Sequence, residues 1–218
     1  DEQLRRFILA VQAFRAAGLR LGLYYSWDDF RVPALFEGPQ RNPEGWARLR
    51  AYVHAQLHEL LTQYGPIDIL WFDGVWPGSA EDWDSAGAVA MARRLSPGIL
   101  INNRLGYTGI DNTKPGADHL EAGANEGIAG DFGTPEHHTT RDPTRLWEAC
   151  HVSTWRLWGH ALGERWRPAD VLLDFLCDAA AKGGNFLLNV GPTADGEFPA
   201  EFLERSDAIG DWLRVHGA

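Results

Sequence analysis

Gly65-Pro66-Ile67-Asp68-Ile69-Leu70-Trp71-Phe72-Asp73-Gly74 is the stretch on which the fold turns. Gly65-Pro66 ends whatever helix precedes it, since Pro removes a backbone donor and Gly carries the chain out of the last turn. The six residues Ile67 to Phe72 are apolar apart from Asp68 and too few for a helix. They lack the strict alternation of a strand with one wet face, so they read as a strand covered on both sides. Asp73-Gly74 then closes the strand with turn residues.

The same grammar recurs along the chain. Leu4, Phe7, Ile8, Val11 and Phe14 recur at helical spacing before Gly18, and Leu19 to Ser26 follows as a strand. Trp46, Leu49, Val53, Leu57, Leu60, Leu61 and Tyr64 mark a long amphipathic helix. A helix with an acidic cap at Ser79-Ala80-Glu81-Asp82 runs to about Leu95, and Ile99 to Asn102 is a third strand. Asp131 to Thr134 is a short strand, Pro168 to Lys182 a helix closed by Gly183-Gly184, Asn185 to Val190 a strand, and Pro199 to Val215 a helix. Residues 28–43 and 105–130 read as loops, and the Trp-rich stretch 145–160 fits neither period.

Five or six strand–helix units with apolar strands predict an α/β fold with a parallel sheet covered by helices. Polar residues gather at the C-terminal strand ends: Ser26, Asp73, Asn102 to Arg104, Glu136 and Asn189. A (β/α)8 barrel of the TIM type keeps its active site there. A doubly wound sheet is the alternative, but neither G-x-G-x-x-G nor a P-loop follows any strand.

With 30 acidic and 20 basic residues among 218, the net charge of −10 argues against a nucleic-acid partner. No apolar run approaches the ~20 residues of a spanning helix. Cys150 and Cys177 are too few for a disulfide scaffold, and both read as buried thiols. Ten tryptophans point to a large core, a carbohydrate-contacting cleft, or both. The chain opens on Asp1 and its sole Met is Met91, so we expect a piece of a longer protein.

Asp73 is the first candidate for chemistry, a carboxylate at a strand tip beside aromatics. Glu136, after Thr134-Pro135, is the second, though a helix-start acid is the bland alternative. Two carboxylates on different strand ends are what glycoside hydrolysis needs, one to attack or stabilise the anomeric carbon and one to protonate the leaving oxygen. Asp131 and Glu148 are rival acids. Arg104 is placed to orient a carboxylate or a sugar hydroxyl. Tyr24 and Tyr25 straddle the pleat, so one faces the interior and one the helices. His137, His138 and His151 invite a metal reading, but H-E-x-x-H and C-x-x-C are absent, and no metal ligand is assigned.

Gly18 to Ser26, Tyr64 to Gly74, Asn102-Asn103-Arg104, Gly130 to Glu136, Trp147-Glu148 and, most specifically, Lys182-Gly183-Gly184-Asn185-Phe186-Leu187-Leu188-Asn189-Val190-Gly191-Pro192 together resemble the α-L-fucosidases of glycoside hydrolase family 29. The resemblance runs from about residue 4 to 215. It implies a (β/α)8-like catalytic barrel, a retaining mechanism and no metal or organic cofactor. It implies that Asp73 is the nucleophile and Glu136 the acid/base, that Arg104 holds the acid/base or the sugar, and that Tyr24 lines the fucose pocket. Trp76 is the candidate aromatic wall for the C5 methyl of fucose.

The family's barrel begins with strands carrying a His-rich, fucose-binding segment, and nothing of that kind precedes Asp1. We therefore expect one domain over 1–218, a TIM-like barrel lacking its N-terminal strands, poorly soluble or oligomeric and without fucosidase activity when expressed alone. The expected partner is a fucosylated oligosaccharide or glycoconjugate. The rival readings are a catalytically inactive carbohydrate-binding barrel and a metal-dependent hydrolase. Neither compartment nor oligomeric state is assigned.

Overall fold

The computed structural model describes residues 2–74, 78–105, 130–141 and 144–217. Element order is α1 (Glu2–Ala16), β1 (Gly22–Ser26), α2 (Pro33–Arg41), α3 (Pro43–Gln63), β2 (Ile69–Asp73), α4 (Ser85–Leu95), β3 (Leu100–Ile101), β4 (Phe132–Gly133), β5 (Leu146–Val152), α5 (Ala169–Ala181), β6 (Asn185–Asn189) and α6 (Ala200–His216). The fold is α/β. Among the described residues its strands form two three-stranded sheets, β1-β2-β3 and β4-β5-β6. The chain divides into two compact units, Asp1–Phe132 and Gly133–Ala218.

In the first unit β1 and β2 pair in parallel, Tyr24 opposite Trp71 and Ser26 opposite Asp73, and β3 adds Leu100 and Ile101 opposite Ile69 and Leu70. The lone polar residue within Ile67 to Phe72, Asp68, is explained by this pairing. The Asp68 carboxylate accepts the Leu21 N–H at 2.8 Å while its own N–H donates to the Leu21 carbonyl at 2.9 Å. Where β3 ends, the Asn102 side chain extends the ladder: its Oδ1 accepts the Phe72 N–H at 2.7 Å and its Nδ2 donates to the Phe72 carbonyl at 2.9 Å. Asn102 is fully buried, so these bonds cover an amide that is costly to leave unpaired.

β2 alternates more than its sequence predicts. Leu70 and Phe72 are fully buried against the helices, whereas Trp71 and Asp73 are half-buried on the other face. The helix side is a core of Trp27, Trp46, Leu49, Val53, Leu57, Leu70, Phe72 and Trp83. Trp27 stacks on Phe72 at 4.7 Å, and Trp46 lies 4.5 Å from Trp83. Truncating one such indole to Ala costs ~3–5 kcal/mol. Helix α3 begins where Asn42 Oδ1 accepts the Gly45 N–H at 2.8 Å, with Pro43 at its first position, and it buries Trp46, Leu49, Val53 and Leu57 at helical spacing.

The stretch 28–43 is not all loop. Helix α2 occupies Pro33–Arg41, two short turns merged across Gly38 at φ +78, just before Pro39. The two prolines and the glycine that signal a loop here start one turn and break it from the next. The acidic cap at Ser79–Asp82 closes a turn of its own, Ser79 Oγ and N–H both bonding Asp82 at 2.9 Å, while Asp84 caps α4. The long stretch 105–130 lies, from 106 to 129, outside the described residues.

In the second unit β5 and β6 pair in parallel, Glu148 opposite Asn185 and Val152 opposite Asn189. The ambiguous stretch 145–160 thus holds β5. One core cluster joins Trp147, Ala149 and Ala179, with Phe186 packed against them, and Cys150, Val152 and Leu172 are buried as well. This packing explains Gly183-Gly184. Gly183, at φ +82, ends α5, and a Cβ on Gly184 would stand 2.3 Å from the Trp147 ring. Cys150 is buried, but Cys177 is exposed, contrary to the sequence reading. Helical periodicity puts it on one face with the exposed Asp174, Ala180 and Ala181, despite apolar neighbours in sequence. Among the described residues no helix is long and apolar enough to cross a membrane.

Candidate active site

Asp73 is the last residue of β2 and is held on both oxygens. The Tyr24 hydroxyl donates to Oδ2 at 2.8 Å and Arg104 Nη1 donates to Oδ1 at 3.0 Å. Each carboxylate oxygen has two acceptor sites, so both keep one for another task. The two bonds fix the carboxylate plane, and the guanidinium, which does not lose its proton in proteins, supplies a constant positive charge.

Each partner is itself fixed. Tyr24 comes from β1, directly opposite Trp71 in register, and the two rings stack at 5.7 Å. Tyr24 is 63% exposed overall, and partial desolvation together with the Asp73 carboxylate raises its phenol above the usual range, so the hydroxyl remains a donor. Arg104 is buried and lies 4.6 Å over the Trp71 ring. The Trp27 indole N–H donates to the Arg104 carbonyl at 3.3 Å, and the Asn102 ladder sets the chain just before it. Asn102-Asn103-Arg104 thus divides its work: the first Asn continues the sheet and the Arg meets the strand-tip carboxylate. Tyr25 points the other way, its hydroxyl donating to Gln56 Oε1 of α3 at 2.8 Å.

Two residues that the sequence did not single out belong here. Trp71 carries both Tyr24 and Arg104 on its ring. Asp28, just beyond β1, has a buried Oδ1 without a hydrogen-bond partner among the described residues. Burial, then the nearby Asp73 charge, pushes its carboxyl up to about 7. Its other oxygen stands 3.2 Å from where a Cβ on Gly74 would be, so Gly74, at φ +68, is the residue that leaves room for it. Trp76 lies outside the described residues.

Glu136 lies in the second unit, described by itself. It bridges Cys150 of β5, with the Cys150 N–H bonded to the Pro135 carbonyl at 2.9 Å and the His137 N–H to the Cys150 carbonyl at 3.0 Å. That is two residues further toward the C-terminal end of β5 than Glu148, whose Oε2 accepts the Asn185 amide at 2.6 Å. Asp131, the other rival, bonds Arg93 and the Ile101 N–H, both at 2.7 Å, and so ties α4 to β3. His137 Nε2 stands 3.7 Å from Glu136 Oε1. Among the described residues no group of three or more His, Cys, Asp or Glu is arranged to hold a metal ion. Structure therefore brings Asp73, Tyr24 and Arg104 together in one unit and sets Glu136 in the other.

Residues 8–218 match the family model described as Alpha-L-fucosidase. α-L-Fucosidase isoenzyme 1 from Paenibacillus thiaminolyticus is similar at 34% identity with a TM-score of 0.79, over 97% of this chain and 52% of that one. A family 29 α-L-fucosidase from Bacteroides thetaiotaomicron, trapped as a covalent intermediate with 2-fluoro-fucosyl fluoride, is 28% identical with a TM-score of 0.79 over 95% of this chain and 49% of that one. Plasma α-L-fucosidase of Rattus norvegicus is 30% identical over 226 residues, all of this chain and 46% of that protein. The chain thus spans less than half the length of such curated relatives.

Proposed function

Because this chain belongs to the α-L-fucosidase family, we propose that the protein containing it releases α-L-fucose from fucosylated glycans by double displacement. In this reading its parallel strands form part of the wall of one (β/α)8-type catalytic domain. Asp73 attacks the anomeric carbon and forms a fucosyl-enzyme ester. Glu136 first protonates the leaving oxygen and then takes the proton of the water that hydrolyses the ester. Tyr24 and Arg104 hold the Asp73 carboxylate in one plane so that attack costs no reorientation.

The observation that carries the reading is the two-sided hold on Asp73 at the C-terminal tip of β2, with a phenol at 2.8 Å and a guanidinium at 3.0 Å. The comparison with a relative trapped as a covalent intermediate supports double displacement. The test is to treat the full-length protein with 2-fluoro-fucosyl fluoride and map the modified peptide. We expect the label on Asp73 and α-fucose as the first product of turnover on a natural substrate. A label on another residue, or β-fucose as the first product, overturns the assignment.

A further inference from the structure

We propose that Asp28 is an electrostatic partner of the nucleophile, holding a proton while Asp73 is a carboxylate and releasing it to water when Asp73 becomes the fucosyl ester, so that the lifetime of the ester depends on pH. The inference rests on the reading of Asp73 as the nucleophile.

The backbone brings the two carboxyls together. Ser26 stands opposite Asp73 in register, and the Trp27 N–H carries the pairing one step further by donating to the Asp73 carbonyl at 2.8 Å. Trp27 is held in turn: its ring is fully buried, and its indole N–H donates to the Arg104 carbonyl at 3.3 Å. Asp28 is the next residue. A Cβ on Gly74 would stand 2.8 Å from Ser26 Oγ and 3.2 Å from Asp28 Oδ2. The Asp28 carboxyl therefore lies against the backbone that directly follows the nucleophile, in space that only a glycine leaves.

This position suits a neutral acid. Asp28 Oδ1 is buried and has no hydrogen-bond partner among the described residues, so a charge there would be poorly solvated. The ionisable groups felt at Asp28 from the two strands are Asp73 of β2 and the Tyr24 phenol of β1. Arg104, beyond β3, meets Asp73 Oδ1 at 3.0 Å. On the segment of Asp28 itself, Arg31 bonds both carboxylate oxygens of Asp29, at 2.9 Å and 2.8 Å. Helix α3 contributes Val53 and Gln56 to the cavity that Asp28 lines, and neither ionises. The rise of the Asp28 carboxyl to about 7, from burial first and the Asp73 charge second, agrees with this geometry.

The consequence follows from reciprocity. Ester formation joins an Asp73 oxygen to the anomeric carbon, breaks the bond to the leaving oxygen and removes the negative charge of Asp73. The repulsion that holds the proton on Asp28 disappears with that charge, and the proton passes to water in the cavity. By linkage, an ionised Asp28 favours the state in which Asp73 carries no charge. Hydrolysis of the ester restores the Asp73 carboxylate, and above the pH at which Asp28 ionises in the ester it must do so beside a second negative charge. The ester therefore persists longer as pH rises, and Asp28 acts through Asp73 without touching the sugar.

The experiment traps full-length wild type and Asp28→Asn with 2-fluoro-fucosyl fluoride, removes the reagent and follows the return of activity between about pH 5 and about pH 8. Asn keeps the shape of a neutral carboxyl and cannot ionise. The ratio of the two reactivation rates, variant over wild type, cancels the titration of Glu136, which both proteins share. We expect this ratio to rise roughly tenfold across the range, the equivalent of one pKa unit of coupling between the carboxyls. A ratio that is flat with pH, as a merely structural role would give, or one that falls, overturns the proposal. If Asp28→Asn does not fold, wild type carries the test alone. Carboxyl ¹³C NMR should show one Asp titrating near 7 in the free protein and about one unit or more lower in the trapped one. No such carboxyl, or one unmoved by trapping, overturns the proposal equally. A label that lands away from Asp73 overturns the reading of the nucleophile and this inference with it. A label on Asp73 with a flat ratio overturns this inference alone.

Discussion

The strand end of the first unit and that of the second are furnished with opposite chemistry. At Asp73 the cation is a guanidinium at 3.0 Å, buried and permanently charged. At Glu136 an imidazole stands at 3.7 Å, and it carries charge only when protonated. Asp73 is backed by a core cluster of more than a dozen large side chains, whereas among the described residues the second unit's cluster joins Trp147 and two alanines around Phe186, with Cys150, Val152 and Leu172 buried elsewhere in the unit. The contrast suits the proposed roles. A nucleophile must present the same ionised carboxylate at every turnover. An acid/base must give up a proton and take one back. Three predictions press on this contrast in falling order of effect, and a fourth tests its electrostatic footing.

The largest effect belongs to the proposed nucleophile. Asp73→Gly should lower kcat by ~10⁴-fold, comparable to deletion of one member of a catalytic unit. Azide should restore part of the rate and yield β-fucosyl azide, detectable by NMR, because the small nucleophile enters from the face that Asp73 vacated. Azide rescue of a Glu136 variant to give that same β-azide would show that the two roles are exchanged.

Glu136→Ala comes next and separates the roles by leaving group. Loss of a general acid should cost ~10²–10⁴-fold on a glycan with a poor leaving group, and far less on an activated aryl fucoside that needs little protonation. Equal losses on both would move the acid to Glu148, the rival whose carboxylate is bonded to Asn185.

Tyr24→Phe tests the fixed hold itself. Removing a hydrogen bond to a charged group costs about 1.5–3 kcal/mol, so a drop of roughly 10–100-fold in kcat/KM is expected. The loss should fall on covalent capture by 2-fluoro-fucosyl fluoride as well as on turnover, since both need the same carboxylate orientation. Unchanged capture would mean that Arg104 alone positions Asp73.

Much of this arrangement was written locally. The apolar runs around Leu70, Ile101 and Leu187 are bounded by Gly and Pro, so strands and helices fall close to where their punctuation puts them. The pleat alone told that Tyr24 and Tyr25 face opposite ways, although not which of them meets Asp73. Helix α2 was hidden because Pro33, Gly38 and Pro39 serve a short broken helix and a loop alike. Trp71 read as strand filler, since its use as a platform depends on Arg104, 33 positions on and 4.6 Å away in space. Asp28 was invisible for a similar reason: nothing near it in sequence announces that it is desolvated beside Asp73. Cys177 erred the other way, because apolar sequence neighbours on a helix do not share its face.

The smallest expected effects are on stability, and they run in opposite directions in the two units. His151 of β5 is buried, stacked at 4.4 Å on Phe175, and neither ring nitrogen has a hydrogen-bond partner among the described residues. Burial, helped by His137, Arg167 and His138, lowers it from 6.5 to about 4. Between those values the unfolded chain binds a proton that the folded chain refuses, so His151 costs stability as pH falls from 6.5 toward 4. Asp28 does the reverse. Burial and Asp73 raise it from 3.8 to about 7, so the folded chain holds a proton that the unfolded chain has lost, and stability declines as pH rises through that window. His151→Phe should therefore flatten the acid side of the stability profile in urea unfolding of the full-length protein. Asp28→Asn should flatten the decline toward neutral pH, by less, because its carboxylate is partly exposed and screened. If Asp28→Asn leaves the slope near neutral pH untouched, the carboxyl beside the nucleophile is better solvated than its buried oxygen implies. If His151→Phe steepens the acid slope, the imidazole is protonated in the folded state, and the second unit is not the uncharged aromatic surround that the contrast requires.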